Sequence, residues 1–359
     1  MINVTKPFFP PLEEYNDYLR EIWKRGWITN NGPLVNDLEL QLKEYLQLDH
    51  LLYTSNGTIA LQIAIKALGL TGEIITTPFS YVATTSCIVW ENCHPVFVDI
   101  DPQTLNIDAR KIEEFITTKT TGILATHVFG NPCDILGIKK IAEKYGLKVI
   151  YDAAHCFGTK FQNKSVFAFG DISATSFHAT KIFHTVEGGA LITQSPELLK
   201  RMAHMRNFGH VSPIEFDTVG INAKNSELHA AFGLINLKYI NDLLAKRKEL
   251  SEYYDDRLKT LEHQKILIKE GIQYNYSYYP IIFDTESQLL KSIEGLNSHG
   301  VYPRRYFYPS LNTISYSKKD SMPISESISS RILCLPLYHE LQKSDVELIA
   351  RLLLRIQNN

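Results

Sequence analysis

The segment LKVIYD, residues 147–152, decides how this chain folds. Its apolar run ends on the carboxylate of Asp152, and it follows a helical pattern over residues 134–145 that Gly146 closes. A short apolar run directly after a helix that ends at glycine is typical of a buried strand. We therefore predict a strand here, with an acidic side chain at its carboxyl end.

The same alternation of helical and strand patterns extends from about residue 51 to residue 193. It predicts an α/β fold with a mainly parallel sheet and helices on both faces. Ligands bind beyond the carboxyl ends of the strands in such sheets, and both Asp152 and His127 fall at such ends. The supporting segments are a helix at 59–68 closed by Gly69, strands at 73–76, 95–98 and 122–126, and a helix that opens at Asp108.

The second half of the chain has a different pattern. After Ser226 a long helical run continues towards Leu258, and its charge-rich second half predicts a connector that leaves the main lobe. A smaller α/β lobe is predicted beyond it, with strands at 276–283 and 301–306 and a terminal helix at 344–356.

The length of 359 residues and the hydrophobic content of 44% are sufficient for a large core and a second lobe. We predict a large domain over residues 1–245, which includes an N-terminal arm over 1–35. A small C-terminal domain is predicted over residues 246–359.

Charge and composition narrow the class of ligand. The net charge is −2 and charges of both signs are interspersed, which argues against nucleic-acid binding. No apolar stretch approaches the roughly 18 residues of a membrane span, and the start has no signal-peptide pattern. Five scattered cysteines without a C-x-x-C pair favour reduced thiols and no zinc. We expect a cytoplasmic protein with a small-molecule ligand, no membrane partner and no metal.

One lysine, Lys181, lies downstream of the strand-end acid, in the segment SFHATK at 176–181. A lysine can hold the aldehyde of pyridoxal 5'-phosphate as a Schiff base, while an acid keeps the pyridine nitrogen protonated. The flanking Phe177 and Phe183 predict an apolar environment, which lowers an ammonium pKa. Taken alone, an exposed surface lysine is the commoner interpretation, and a hydroxyl or backbone amide is an alternative partner for Asp152. The turn EGG at 187–189 would fix the loop that carries Lys181.

The segment SNGT at 55–58 stands directly before a strong helical pattern. Free amides and the helix dipole make such a junction a phosphate site, and Gly57 would let an anion approach closely. The alternative is a simple N-cap by Ser55 or Thr58. His155, three residues after Asp152, could bond a cofactor hydroxyl, or it could be a packing residue.

Together, these segments resemble the DegT/DnrJ/EryC1/StrS family of sugar-nucleotide aminotransferases, within the aspartate aminotransferase-like fold (fold type I). The resemblance covers nearly the whole chain, and its specificity comes from the order and spacing of the motifs. Besides the segments at Asp152 and Lys181, they are GWITNNGP at 26–33, SNGTIAL at 55–61, TPFSYVAT at 77–84, PVFVDID at 95–101, HVFGNP at 127–132, Asn222 before SELHAA at 226–231, and LPL at 335–337.

The resemblance implies a role for each matching residue. Lys181 and Asp152 would be catalytic, with Lys181 as the Schiff-base lysine and Asp152 paired with the pyridine nitrogen. The remaining cofactor contacts would be His155 at the ring hydroxyl, Tyr81 on the ring face, and the amides of Gly57 and Thr58 with the hydroxyl of Ser176 at the phosphate.

The resemblance also implies a homodimer with shared active sites. Asn222 corresponds to a residue that reaches the phosphate from the neighbouring subunit. Two departures lie nearby in the motif pattern. This chain has Ala223 and Lys224 where many relatives carry an aromatic residue and an arginine, and it has Thr185 and Val186 where a glycine or cysteine precedes the Gly-Gly turn.

For the reaction, the resemblance implies transamination from L-glutamate to a nucleotide-linked keto sugar. We expect dTDP-4-keto-6-deoxy-D-glucose to give dTDP-4-amino-4,6-dideoxyglucose, for polysaccharide or O-antigen synthesis. The segments at 30–33 and 304–309 look similar to that subgroup. Expected substrate contacts are Thr29, Asn30, His184, Arg304 and Arg305; the two arginines would bind the diphosphate, or would form a solvated surface pair.

Several alternatives stay open at this point. A 3-keto sugar nucleotide is the nearest competing substrate. A dehydratase of the same family would replace the Schiff-base lysine with histidine, against which Lys181 argues, and a non-catalytic binding protein on this fold is disfavoured by the joint presence of Lys181, Asp152 and Ser176. A metal site built from His178, His184, His204 and His210 matches no standard ligand spacing.

Overall fold

The computed structural model describes residues 1–317 and 319–358. Within these residues the strands are β1 (Ile2–Asn3), β2 (His50–Thr54), β3 (Glu73–Thr76), β4 (His94–Phe97), β5 (Thr120–Thr126), β6 (Lys148–Asp152), β7 (Lys160–Phe161), β8 (Lys164–Ser165), β9 (Ile172–Ser176), β10 (Gly189–Thr193), β11 (Ile272–Gln273), β12 (Tyr279–Ile282), β13 (Val301–Tyr302) and β14 (Ile332–Leu335).

The α-helices of the same residues are α1 (Leu12–Arg25), α2 (Pro33–Leu46), α3 (Gly57–Ala67), α4 (Val82–Trp90), α5 (Ile135–Tyr145), α6 (Pro196–Arg206), α7 (Glu227–Arg257), α8 (Glu286–Ser298), α9 (Pro323–Arg331) and α10 (Lys343–Asn358). No described helix is both long enough and apolar enough to cross a bilayer.

A seven-stranded sheet forms the centre of the larger lobe, in the order β2-β10-β9-β6-β5-β3-β4. Strand β10 pairs antiparallel with both of its neighbours, and the other pairs are parallel. The predicted mainly parallel sheet is therefore confirmed. Thr126 of β5 lies opposite Asp152 of β6, so the carboxyl ends of these strands meet at one edge of the sheet.

The predicted strand at 147–152 forms as β6 for the reasons its sequence indicates. Helix α5 ends at Gly146, whose φ of 66° is left-handed and is easily adopted by glycine. Val149 and Tyr151 then pack into the core on one face of the sheet, while Ile150 packs into the core on the other face. This alternation is the two-residue period of a strand covered on both sides.

Helix α7 runs through the cores of both lobes. Leu234, Ile240 and Leu243 pack against the large sheet, whereas Leu250 and Tyr254 belong to the C-terminal core with β12, β14 and α10. The predicted boundary between residues 245 and 246 lies inside this helix and stays a prediction.

Three predicted elements differ from the structure. The strand predicted at 276–283 is shorter and covers only β12 (Tyr279–Ile282). The segment that opens at Asp108 is a 3₁₀ helix, Ala109–Phe115, because its apolar residues Ala109, Ile112 and Phe115 recur every three positions. The predicted strand at 301–306 is only the two-residue β13. Its partner is β1, from the start of the chain. Proline at 303 has no amide hydrogen to continue the ladder.

Candidate active site

A cavity of about 270 Å³ lies where the carboxyl ends of β5, β6 and β9 meet. Most of the predicted site residues line it: Gly57, Thr58, Tyr81, Asp152, His155, Ser176, Lys181 and Arg304. The large sheet brings all of these residues except Arg304, which comes from the C-terminal lobe, from segments far apart in the chain to one end of its strands.

Asp152 is 7% exposed at the end of β6 and has two partners. Its Oδ2 accepts a hydrogen bond from the Thr84 hydroxyl at 2.6 Å, and its Oδ1 accepts one from the Ala154 amide at 3.2 Å. Burial still raises its pKa, because these bonds and the charge of Lys181 compensate desolvation only in part. Both partners that sequence reasoning offered as alternatives are present, and the carboxylate retains the capacity to bind a cation.

Lys181 stands on a loop whose base is hydrogen-bonded. The amide of Phe177 donates to Gly188 O and the amide of Ala179 donates to Val186 O, both at 2.8 Å, so the turn at 187–189 fixes the loop as predicted. The pKa of Lys181 is lowered to about 8, chiefly by burial in the cavity and to a smaller extent by the charge of Arg304, while Asp152 and Cys156 oppose the shift. A lowered pKa leaves a useful fraction of neutral amine near neutral pH.

The start of helix α3 forms one end of the cavity. Asn56 caps the helix by accepting a hydrogen bond from the Ile59 amide at 2.8 Å, so the alternative of a cap by Ser55 or Thr58 is wrong. The amides of Gly57 and Thr58 have no partner among the described residues. A Cβ at position 57 would lie 2.9 Å from Ser176 Cβ, so only glycine leaves this space open. Such an end suits an anion.

The aromatic residues Tyr81 and His155 also line the cavity. Tyr81 precedes helix α4, and its side chain is 53% exposed, which leaves a ring face open. His155 packs parallel to Phe307 with ring centroids 5.9 Å apart. Burial lowers its pKa well below the usual value, so the ring is neutral, and its buried Nδ1 has no partner among the described residues.

Three predicted residues lie outside the cavity and are exposed: Thr29, Asn30 and Asn222. Asn30 borders a separate surface pocket together with Asn207 and Lys224. Within the same chain, Asn222 Oδ1 accepts a hydrogen bond from Lys224 Nζ at 2.9 Å.

His184 and Arg305 are held by structural contacts away from the cavity. His184 is buried, with Nε2 bonded to the Phe8 carbonyl at 2.9 Å and Nδ1 accepting from the Val186 amide. Arg305 pairs with Glu286 at 2.5 Å and lies over the Tyr308 ring. The two adjacent arginines therefore differ in position: Arg304 lines the cavity and Arg305 does not.

Sequence reasoning missed three residues of the site. Thr84, which bonds Asp152, was quoted only as part of a motif, although its position three residues after Tyr81 on a helical pattern puts both at one helix start. Tyr306 and Phe307 line the cavity from the C-terminal lobe. The signal for them in the sequence is the aromatic segment RRYFYP at 304–309, in which both lie directly after the two arginines.

The site therefore combines an anion-binding helix end, a buried acid, a neutral histidine and an amine with a lowered pKa. These groups suit chemistry in which a lysine forms a covalent bond to a carbonyl and moves protons. Among the described residues, no group of three or more histidine, cysteine, aspartate or glutamate side chains is placed to hold a metal.

Comparison with known proteins agrees with this geometry. The chain is 42% identical over 355 residues to a dTDP-4-amino-4,6-dideoxy-D-glucose transaminase of Shigella dysenteriae, covering 97% of each chain. It is 40% identical over 363 residues to an Escherichia coli protein of the same name, covering 98% of each.

A solved structure of DesI in the presence of its TDP-sugar product superposes with a TM-score of 0.93 at 29% identity, covering 98% of this chain and 92% of that one. The predicted aspartate aminotransferase-like fold is thereby confirmed. The sequence profile of the DegT/DnrJ/EryC1/StrS aminotransferases matches residues 12–353. The chain belongs to this aminotransferase family.

Proposed function

We propose that this aminotransferase uses pyridoxal 5'-phosphate to transfer the amino group of L-glutamate to dTDP-4-keto-6-deoxy-D-glucose, forming dTDP-4-amino-4,6-dideoxy-D-glucose. The observation that carries the chemistry is the presence in one cavity of Lys181, whose pKa is lowered to about 8, and the buried Asp152. The choice of sugar is supported by the two relatives at 42% and 40% identity, whose names carry that product.

The residues of the cavity fit the cofactor. The amides of Gly57 and Thr58, with the Ser176 hydroxyl, would hold its phosphate. Asp152 would pair with the pyridine nitrogen, because a buried carboxylate whose pKa is raised by desolvation gains from a cationic partner. The unpartnered Nδ1 of His155 offers a hydrogen bond to the ring hydroxyl, and the open ring face of Tyr81 offers a stacking surface.

When bound, the cofactor supplies an electron-withdrawing ring that stabilises negative charge on the reacting carbon. The Nζ of Lys181 would take a proton from the amine-bearing carbon of the donor in one half-reaction. In the other it would give a proton to the sugar carbon that receives the amine. The Asp152 carboxylate would face the positive charge on the pyridine nitrogen in both half-reactions. The Thr84 hydroxyl and the Ala154 amide hold the carboxylate in this position by hydrogen bonds.

We further propose a homodimer, since Asn222, Thr29 and Asn30 face outward and a second subunit would bring them to the neighbouring cavity. We assign the reaction to the cytoplasm. All five cysteines are buried free thiols, which a reducing compartment preserves. The product would supply an amino sugar for O-antigen or a related polysaccharide.

Borohydride reduction tests the cofactor assignment. The purified protein should absorb visible light, lose that absorption with borohydride, and retain the cofactor covalently on a peptide containing Lys181. Lys181→Ala should retain none, whereas the exposed-lysine control Lys164→Ala should behave as wild type. Absence of a cofactor band after loading with pyridoxal phosphate would contradict the proposal.

The substrate assignment needs a separate experiment. The loaded enzyme is incubated with glutamate and either the 4-keto or the 3-keto dTDP-6-deoxyhexose, and NMR locates the new amine. We expect amination at C4. Reaction of the 3-keto sugar alone would refute the proposed substrate and leave the transaminase chemistry intact.

A further inference from the structure

A second buried carboxylate, Asp99, lies at the carboxyl ends of the strands of the large sheet, as Asp152 does, but it is outside the cavity. It follows edge strand β4 and is 6% exposed. Its backbone carbonyl accepts a hydrogen bond from the Asp108 amide at 3.0 Å, which anchors it to the large lobe. The reaction proposed above gives this carboxylate no role.

The Asp99 side chain caps a helix of the other lobe. Its Oδ2 accepts a hydrogen bond from the Ile324 amide at 2.9 Å, and its Oδ1 accepts from the amide and the hydroxyl of Ser325 at 2.9 and 2.6 Å. Ile324 and Ser325 are the second and third residues of α9. Met322, at the N-cap position, makes no capping side-chain bond within the described part of the chain. Asp99, which is 225 positions from Ile324 in the sequence, thus takes the place of a local capping residue.

Helix α9 leads directly into a wall of the cavity. Its last residue, Arg331, is followed at once by β14, and Cys334 of β14 exchanges two backbone hydrogen bonds with Arg304, at 3.1 and 2.8 Å. Arg304, Tyr306 and Phe307 form the part of the cavity lining that comes from the C-terminal lobe. We call these three residues the C-terminal wall.

Other contacts also join the lobes at this place. Phe307 packs against Phe79 and Phe129 of the large lobe, with ring centroids 5.5 and 5.6 Å apart, and the Leu311 amide donates to the Pro78 carbonyl. Aromatic packing holds the wall near the large lobe but tolerates sliding and rotation. Hydrogen bonds to a carboxylate are stronger than neutral ones, and the use of both carboxylate oxygens adds geometric specificity.

We propose that Asp99 is a positioning residue that fixes the C-terminal wall against the large lobe by capping helix α9 across the two lobes. The consequence for activity rests on the function proposed above, because only then does Arg304 face a bound substrate. The consequence for structure does not depend on that function.

The chain offers a matched control on the same helix. Glu326 Oε1 accepts hydrogen bonds from the Met322 amide and the Asn312 side chain, at 2.9 and 2.7 Å, but all of these groups belong to the C-terminal segment. Asp99→Asn and Glu326→Gln each remove one carboxylate at the start of α9. Only the first breaks a tie between the lobes.

Hydrogen exchange on the cofactor-loaded protein tests the structural part. We expect Asp99→Asn to speed exchange in peptides covering 304–308 and 332–335 by about fivefold, because the amide nitrogen of asparagine replaces one of the two acceptor oxygens and one typical hydrogen bond is lost. Glu326→Gln should speed exchange around 322–326 only. Equal protection of 304–308 in wild type and Asp99→Asn would overturn the proposal.

Kinetics test the functional part. Asp99→Asn should raise KM for the keto sugar about fivefold with cofactor absorption unchanged, because a displaced wall weakens substrate binding before it affects the cofactor. If Asp99→Asn does not fold, Ser325→Ala removes only the hydroxyl bond and should give a smaller shift in the same peptides. Altered exchange in an enzyme that acts on no keto sugar would support the positioning role while refuting the proposed function. Unchanged KM in an active Asp99→Asn enzyme would overturn the positioning role.

Discussion

Two lysines of this chain, Lys181 and Lys224, both have a pKa lowered by burial, but their surroundings differ. Lys181 Nζ lies in the cavity and makes no hydrogen bond to any described residue. Lys224 Nζ bonds the side-chain oxygens of Asn207 and Asn222, at 2.7 and 2.9 Å, and lies over the Phe208 ring. A desolvated amine without acceptors is available for chemistry, whereas one with two acceptors orients its neighbours.

This difference also separates two regions of the proposed site. The cavity around Lys181 has its acid, amine and helix end within one chain. The surface around Lys224 presents amide groups outward. Asn222 Oδ1 is held by Lys224, and its amide nitrogen, which has no partner among the described residues, can donate to an external anion. The predictions below test whether the cavity around Lys181 is a complete reactive centre. They also test whether the surface around Lys224 contributes to the cavity of a neighbouring subunit.

The largest effect is expected at Asp152. Asp152→Asn removes the carboxylate that would face a cationic ring nitrogen, and we expect kcat to fall by about 10²- to 10³-fold. Thr84→Val removes one hydrogen bond to the same carboxylate and should cost about tenfold or less. Steady-state kinetics measure both; an Asp152→Asn enzyme within tenfold of wild type would mean that the cavity is not the reactive centre.

Mixed subunits test whether the surface at Asn222 serves a neighbouring cavity. Asn222→Asp places a negative charge where a phosphate would approach and should inactivate the homodimer. Co-expression with Lys181→Ala should then restore about a quarter of wild-type activity, since half of the dimers are mixed and each has one intact site. Lys181→Ala with Asp152→Asn is the control, because both changes lie in the same cavity and no mixed dimer has an intact site. Activity of the test pair no higher than that of the control would contradict the shared site.

A smaller effect is expected at Lys224. Lys224→Ala releases the Asn222 side chain and should weaken cofactor binding about fivefold, in line with the loss of one typical hydrogen bond. Lys224→Arg retains a donor and a charge and should stay within about twofold. Titration of the apoenzyme with pyridoxal phosphate measures both, and equal affinities for all three proteins would remove the orienting role.

The most specific test uses pH and measures stability rather than activity. In the apoenzyme the folded state releases the Lys181 proton at about pH 8, whereas the unfolded chain retains it up to its ordinary value of 10.5. The unfolded state therefore binds more protons between pH 8 and 10.5, so stability should rise with pH across this window. Urea unfolding of wild type relative to Lys181→Met should show a gain of up to about 3 kcal/mol. A difference that does not change with pH would show that Lys181 is solvated like a surface lysine.

Local patterns were sufficient to predict the centre of the fold and much of the cavity. The strand that ends on Asp152, the helix after Gly57 and the loop of Lys181 each depend on neighbouring residues, and a parallel sheet brings strand ends together by its geometry. The arrangement of these elements needed no knowledge of distant contacts.

Features that depend on contacts between residues far apart in the sequence could not be predicted from local patterns. Thr84 bonds Asp152 across 68 positions, and β1 pairs with β13 across almost the whole chain. The same limit explains the two adjacent arginines. Arg305 forms an ion pair with Glu286, whereas Arg304 forms backbone hydrogen bonds with Cys334. No property of the local sequence distinguishes the two arginines.

Helix α7 imposes a constraint on how this chain can change in evolution. Its 31 residues span about 46 Å and carry one lobe's core at each end. Inserting a single residue near position 246 would turn the C-terminal lobe by about 100° around the helix axis and shift it by about 1.5 Å. The C-terminal wall would then no longer face Lys181. The number of residues between the two cores is therefore fixed, even where the side chains on that stretch are exposed and free to vary.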